Sequence, residues 1–299
     1  MYIFGEQQGM ANLIRAGTIF ITLITPNRTV RAAPRVDLRR NDAHNADMNF
    51  DISHLLDPWD YSPSQVTVRK FIGKDGQEKI QRRIDLGILQ MNSQGRPDGK
   101  RPFGHPSLLD FYLAKLEQYR MSRGTDEGFA LKAEDVNRLQ MEAFQYHHRY
   151  VCLLQLEDLP GVLRDTDRNL KVFQFVEDYS ESDELAWALL QFMPQVLVIH
   201  TRAIASQFLQ TEEYGAALRE IQEGLDRLRE FYESHARHDL LSQSAEIANL
   251  EHWMREVEQK RPLSKREQLE RDLREAVKQE DYEKAAKVRD ALKNLKPSE

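Results

Sequence analysis

The chain has 299 residues, 40% hydrophobic and 30% charged, with a formal net charge of −6. That length holds a real core and allows a domain with appendages. Its mild acidity argues against a dedicated nucleic-acid binder, and its single cysteine excludes an internal disulfide framework and any multi-cysteine metal site. Cys152, inside the apolar run YVCLLQL, reads as a small buried hydrophobe in a reducing cytoplasm.

Residues 1–47 are expected to be an irregular extension, with RAAPRVDLRRNDAHNAD too polar to fold. The segment AGTIFITLIT after Arg15 has the outline of a signal peptide, but no run reaches the 18 apolar residues of a membrane span. Met48 opens the first well-patterned stretch and is the expected natural start. In DISHLLDPWDY, Asp51, His54, Asp57 and Asp60 read as caps and turn formers around Pro58, with no nucleophile beside them.

From Gln65 to Gln90 the period is two. Val66, Val68 and Ile72 share one face, as do Ile80, Ile84, Leu86 and Ile88, and the Asp-Gly of GKDGQ predicts a two-stranded antiparallel hairpin. Residues 92–106, rich in Gly and Pro, are expected as loop. Helical spacing resumes from Ser107 to Met121, with Leu108, Leu109, Tyr112, Leu113 and Leu116 as the apolar stripe. Residues 48–121 thus form a hairpin-plus-helix region. Between 64 and 105 there are nine basic and four acidic residues, a local charge of +5. Arg69, Lys79, Arg82, Arg83, Arg96 and Arg101 are the candidate phosphate contacts of such a segment. Its alternative is the solvated face of a half-buried sheet, since aromatic stacking residues beyond Phe71 and Phe103 are sparse.

Residues 129–260 read as helical and contain a repeat. LQLEDLPGVLRDTDRNL (154–170) aligns without gaps on LQTEEYGAALREIQEGL (209–225), with Leu163/Leu218 and Arg164/Arg219 among the identities. Each copy is an acidic turn, a small residue (Gly161; Ala216 and Ala217) and an aliphatic helix, so each predicts a helical hairpin with close helix approach. Leu163 and Leu218 are both expected to be buried. The pattern resembles the tetratricopeptide repeat without its regular period, and Pro194 is expected to bend or break the intervening helix. His235 and His238 of HARH lack a third ligand, and the adjacent histidines of YHHRY (146–150) lie on different helix faces; neither reads as a metal site.

The last segment, 264–296, opens with a capping box, Ser264 to Glu267. Leu269, Leu273, Ala276 and Val277 form a narrow seam. After the turn at Glu280-Asp281-Tyr282 it continues through Tyr282, Ala285, Val288, Leu292 and Leu295. Such a hairpin is too short to support its own core, so the seam is expected to dock. Leu273, Ala276, Asp281-Tyr282, Glu283, Ala285-Ala286, Arg289-Asp290 and Leu295 resemble the UVR motif, the helical hairpin of the excinuclease B and C subunits, with Val288 where leucine is usual. The resemblance implies protein–protein contact through Leu273, Ala276, Tyr282, Ala285, Val288, Arg289, Leu292 and Leu295, with another UVR-motif protein or a second copy as partner. It does not imply repair chemistry, because no P-loop G-x-x-x-x-G-K-[ST] occurs.

The expected architecture is therefore mainly α: an irregular TPR-like domain, a small N-terminal antiparallel β-hairpin and a C-terminal two-helix UVR hairpin. The expected function is a cytoplasmic, non-enzymatic adaptor without metal, cofactor or membrane anchor. Its alternative is a nucleic-acid accessory protein, linked to excision repair, acting through residues 64–105.

Overall fold

The computed structural model describes residues 51–63, 65–263 and 265–294. The expectations placed on residues 1–47, Met48, Ser264 and Leu295 lie outside these residues. After a one-turn helix α1 (Ser53–Leu56), strands β1 (Val68–Ile72), β2 (Glu78–Ile84) and β3 (Gly87–Asn92) form an antiparallel sheet in the order β1-β2-β3. Gly76 takes φ 72° in the turn between β1 and β2, as the Asp-Gly signal requires.

The expected two-stranded hairpin is a three-stranded sheet. The run EKIQRRIDLGIL folds back at Asp85-Leu86, with Ile84 paired to Gly87, and Leu86 is 88% exposed instead of sharing a face with Ile80. Neither Asp85 nor Leu86 has a positive φ, so the primed-turn signature is absent. The turn is stitched by a side chain: Arg83 donates from Nη1 to the carbonyls of Ile84, Asp85 and Gly87.

Residues beyond β3 run as loop to a 3-10 turn at Pro102–Gly104 and then to α2 (Leu108–Arg123). Ser107 caps α2, its hydroxyl accepting from the Asp110 amide at 3.1 Å. Leu108, Leu109, Tyr112 and Leu116 are buried, while Leu113, one step round the helix from Tyr112, leaves the expected stripe at 44% exposure.

The helical domain comprises α3 (Ala133–Gln155), α4 (Leu159–Tyr179), α5 (Asp183–Leu190), α6 (Met193–Gln210), α7 (Tyr214–Ser234), α8 (His238–Leu241) and α9 (Ala245–Lys260). The main packing runs α3 on α4, α4 on α6, α6 on α7 and α7 on α9, a row of neighbours. The break between α5 and α6 falls at Gln191-Phe192, just before Pro194, and the two helices meet at 42°. Pro194 sits in the first turn of α6, where its missing N–H costs no hydrogen bond. Among the described residues no single helix is long and apolar enough to cross a membrane. Leu163 and Leu218 are half-buried against the core rather than enclosed.

Close helix approach in this row depends on small residues. Ala217 is fully enclosed, and a Cβ on Gly161 would meet the Leu153 side chain at 3.0 Å. The tightest crossing is one the repeat alignment did not single out. At Gly224 of α7 a Cβ would lie 2.3 Å from Thr201 Oγ1 of α6. Gly224→Ala is therefore expected to destabilise by about 1–3 kcal/mol through overpacking, despite a helix-propensity gain of up to about 1 kcal/mol. Gly215→Ala, in the first turn of the same helix, meets only Arg219 at 3.7 Å and should stabilise by about 0.5–1 kcal/mol. Urea midpoints that move in the same direction for both would refute the close approach at Gly224.

Candidate interaction surfaces

The C-terminal hairpin is built from α10 (Lys265–Lys278) and α11 (Tyr282–Asn294). Its turn is a Schellman motif. Glu280 takes φ 58°, its amide donates to Val277 O at 3.1 Å, and the Asp281 amide donates to Ala276 O at 2.9 Å. Asp281 then caps α11 by accepting from the Lys284 amide at 3.0 Å. The same turn closes both copies of the internal repeat. Glu157 and Glu212 take φ 57° and 60°, Asp158 N donates to Leu153 O at 2.9 Å, and Glu213 N donates to Phe208 O at 2.8 Å. One turn geometry thus serves three helical hairpins.

Within the C-terminal pair, Ala276 is fully buried and Ala285 nearly so, where the two helices press on each other. Leu269, Leu273, Val288 and Leu292 are half-buried, and Arg289 is exposed. Tyr282 is 71% exposed, so its ring stands outside the intramolecular seam. Among the described residues the extensive packing of α10 is with α11 alone, and beside the link the Arg261–Glu267 ion pair at 2.6 Å joins its first turn to the end of the helical domain. Two alanines are thus the whole enclosed core of helices of 14 and 13 residues. An aliphatic stripe stays half open beside them.

The six candidate phosphate contacts are not brought together as one basic face. Arg69 donates to Gln81 Oε1 at 2.8 Å and stacks over Trp59 at 4.0 Å. Lys79 pairs with Asp75 at 2.7 Å, and Arg83 is spent on the β2–β3 turn. Arg96 lies 3.1 Å from the buried Glu142 carboxylate, and Arg82 is itself buried. Of the six, Arg101 is exposed without a carboxylate partner, its contact being Gly104 O at 3.3 Å.

Of those cations, Arg96 joins a polar hub between the loop and the helical domain. Arg149, fully buried, donates from Nε and Nη2 to the buried Asp165 carboxylate at 2.6 and 2.7 Å. Its Nη1 donates to Asn92 O at 3.0 Å and Gly95 O at 2.7 Å. Arg164 donates to Ser93 O at 3.0 Å and to Asp165 at 2.9 Å. Glu142 accepts from the Leu108 amide, the first of α2, at 2.9 and 3.0 Å, and from Arg168. The loop after β3 is therefore fixed from beneath by α3 and α4.

The remaining candidates play local parts. His235 sits 3.1 Å from Glu177, and among the described residues no group of three His, Cys, Asp or Glu could hold a metal. Asp51 accepts from the Ser53 amide at 2.9 Å, bracing α1. Cys152 is fully buried, and burial pushes its thiol up to about 12 against the smaller opposing effect of Arg82, which leaves it protonated and unreactive.

Burial, with His148 and Arg82 adding to it, pushes His147 down to about 3; burial lowers His148 and His200 in the same sense. An unfolded histidine titrates near 6.5, so below that pH the unfolded chain binds a proton that folded His147 refuses. Stability should thus fall by about 1.4 kcal/mol per pH unit as pH drops from about 6.5 toward about 3. Urea midpoints from about pH 7.5 to about pH 5 should show this loss, reduced in His147→Phe. An equal loss in that variant would assign the effect elsewhere.

A groove of about 380 Å³ lies between the ends of the first two hairpins, lined by Leu154, Glu157, Leu159, Ser206, Leu209 and Gln210. Residues 264–296 match the UVR family, described as the UvrB/uvrC motif, and they coincide with α10, the shared turn and α11. No curated protein and no solved structure matches the chain.

Proposed function

We propose that this chain is a non-enzymatic cytoplasmic adaptor. In this reading its UVR hairpin docks a partner protein, either another UVR-motif protein or a second copy, while the TPR-like row of helices offers a second protein-binding surface. The observation that carries it is the imbalance of the hairpin: two enclosed alanines against four half-open aliphatic side chains, with no other element among the described residues packed extensively over them. A helix pair of that size gains too little from its own burial to be its own purpose. Docking would cover Leu273, Val288 and Leu292 and supply the missing burial. The nucleic-acid alternative has less support, because most of the cations it needs are engaged in holding the sheet and loop.

Affinity capture from native extract, comparing the full chain with one ending at Arg261, tests the reading. Proteins identified with the full chain and absent with the shorter one are the expected result. Identical sets from both would remove the hairpin from the function.

A further inference from the structure

Phe103 is the one aromatic among the described residues with a positive φ, 50°, and Gly104 after it takes 82°. So bulky a side chain is strained in that region, and burial does not offset the strain, because Phe103 is 62% exposed. One face of its ring rests on Phe111 of α2, with centroids 4.3 Å apart, and His105 meets the same Phe111 edge-on at 5.6 Å. The paired left-handed residues thus hold the ring out from the surface as a knuckle. Lys100 and Arg101 flank it, both exposed. Among the described residues neither side chain is paired with a carboxylate; Arg101 reaches only Gly104 O, at 3.3 Å.

The groove of about 380 Å³ between the hairpin ends has the opposite character. Leu154, Leu159 and Leu209 give it an apolar floor, and Leu154 is left 36% exposed. Glu157 lines it, and Glu212 stands in the turn two residues beyond Gln210. Both carboxylates are exposed, and among the described residues neither is paired with a cation. Asp158, beside Glu157, is the acid already engaged, with Lys70 at 2.9 Å. No residue of the loop 92–106 lines the groove. Phe103 rests on α2 instead, so the knuckle of the chain itself does not fill it.

We propose that the Phe103 knuckle of one copy enters the groove of a second copy, a head-to-tail contact between chains. An aromatic side chain brings about 150–250 Å² of surface to bury, and a groove floored by three leucines receives it. Lys100 and Arg101 then face Glu157 and Glu212, two cations against two carboxylates, which sets the orientation and speeds encounter. The strained turn is accounted for as the means of presenting the ring. Knuckle and groove are different surfaces, so each contact leaves one of each free, and association continues to a closed ring or an open row. This contact is separate from the UVR hairpin and does not depend on what the hairpin docks.

The test is sedimentation of the full chain carrying Val288→Glu in every arm, so that association through the hairpin does not contribute. Over roughly 1–500 μM, the range in which a small contact shows, the average mass should rise with concentration and fall with added salt. Phe103→Gly removes the ring and suits the left-handed turn, so Tm should stay at or above that of the parent while the mass stays monomeric. Leu154→Glu, in the groove, should also give a monomer. Mixed together, those two variants still hold one intact knuckle and one intact groove between them, so a 1:1 dimer should form and grow no further. Should Leu154→Glu fail to fold, a charge exchange serves instead: Lys100→Glu with Arg101→Glu on one chain, and Glu157→Lys with Glu212→Lys on another. Each should be monomeric alone and associate when mixed. A parent that is monomeric throughout overturns the proposal, and so does association that Phe103→Gly leaves unchanged. Mixtures that stay monomeric overturn the head-to-tail geometry, and a monomer that binds a labelled oligothymidylate through Phe103 assigns the knuckle to nucleic acid instead.

Discussion

Asp165→Ala is expected to cost about 3–5 kcal/mol, the largest effect of any single truncation in the helical domain. Arg149 is fully enclosed, so losing the bidentate carboxylate strands a charge that has no route to water. Arg164 loses the same anion at 2.9 Å, leaving two guanidiniums close together. The loop after β3 should loosen too, since Arg149 holds Asn92 O and Gly95 O only while it is itself held. Urea unfolding with an unchanged m value would report the loss, and faster amide exchange at residues 93–98 would localise it. The double variant Arg149→Met with Asp165→Leu should be less damaging than Asp165→Ala alone, because it removes both charges. It should not be neutral, since two loop carbonyls lose their donor. A loss below about 1 kcal/mol for Asp165→Ala would mean that the carbonyls alone satisfy Arg149.

Ala285→Glu is expected to abolish partner capture, and the structure gives the reason a different place from the one the seam pattern implied. Ala285 faces Ala276 inside the hairpin and is 8% exposed. A glutamate there wedges α11 from α10, at about 1–3 kcal/mol for overpacking, and desolvates a charge besides. So small a unit has no such reserve. Helicity of α10 and α11 should vanish from the circular dichroism spectrum, while the main unfolding transition stays within about 0.5 kcal/mol of the parent. Val288→Glu separates docking from folding: Val288 is half-buried, so helicity should survive while capture is lost. Lys293→Glu, on the exposed side, should change neither. Val288→Glu capturing the same identified proteins as the parent would sink the docking reading, and collapse of the whole chain by Ala285→Glu would make the hairpin ordinary core.

The hairpin was legible because its information is local: an acidic-aromatic turn, small residues after it, aliphatics three and four apart. The β2–β3 turn was not, because Leu86 keeps the parity of a continuing strand and the deciding interaction comes from the Arg83 side chain. The polar hub was missed for another reason. Glu142 and Arg149 occupy the same stripe of α3 as Leu139, Tyr146 and Leu153, and Asp165 and Asn169 share that of α4 with Val162, Val172 and Phe173; all ten are buried. Charged or amide residues at stripe positions were the available signal. The basic count of residues 64–105 was correct, but a count cannot tell cations turned outward from cations turned in.

Because the helices from α3 to α9 pack chiefly on their neighbours in a row, their cohesion is largely a chain of pairwise terms along one continuous core. Such an assembly loosens from an end, like a zip. α9, clasped mainly by α7, should exchange its amides first, and α4, held between α3 and α6, last. Most of the row can form from contacts close along the chain, which favours quick folding. The exception is the hub, where Arg149 must find carbonyls 54 and 57 residues earlier. That closure should be the slow act that finishes the fold, and a ribosome will already have delivered both of its sides by the time α4 emerges.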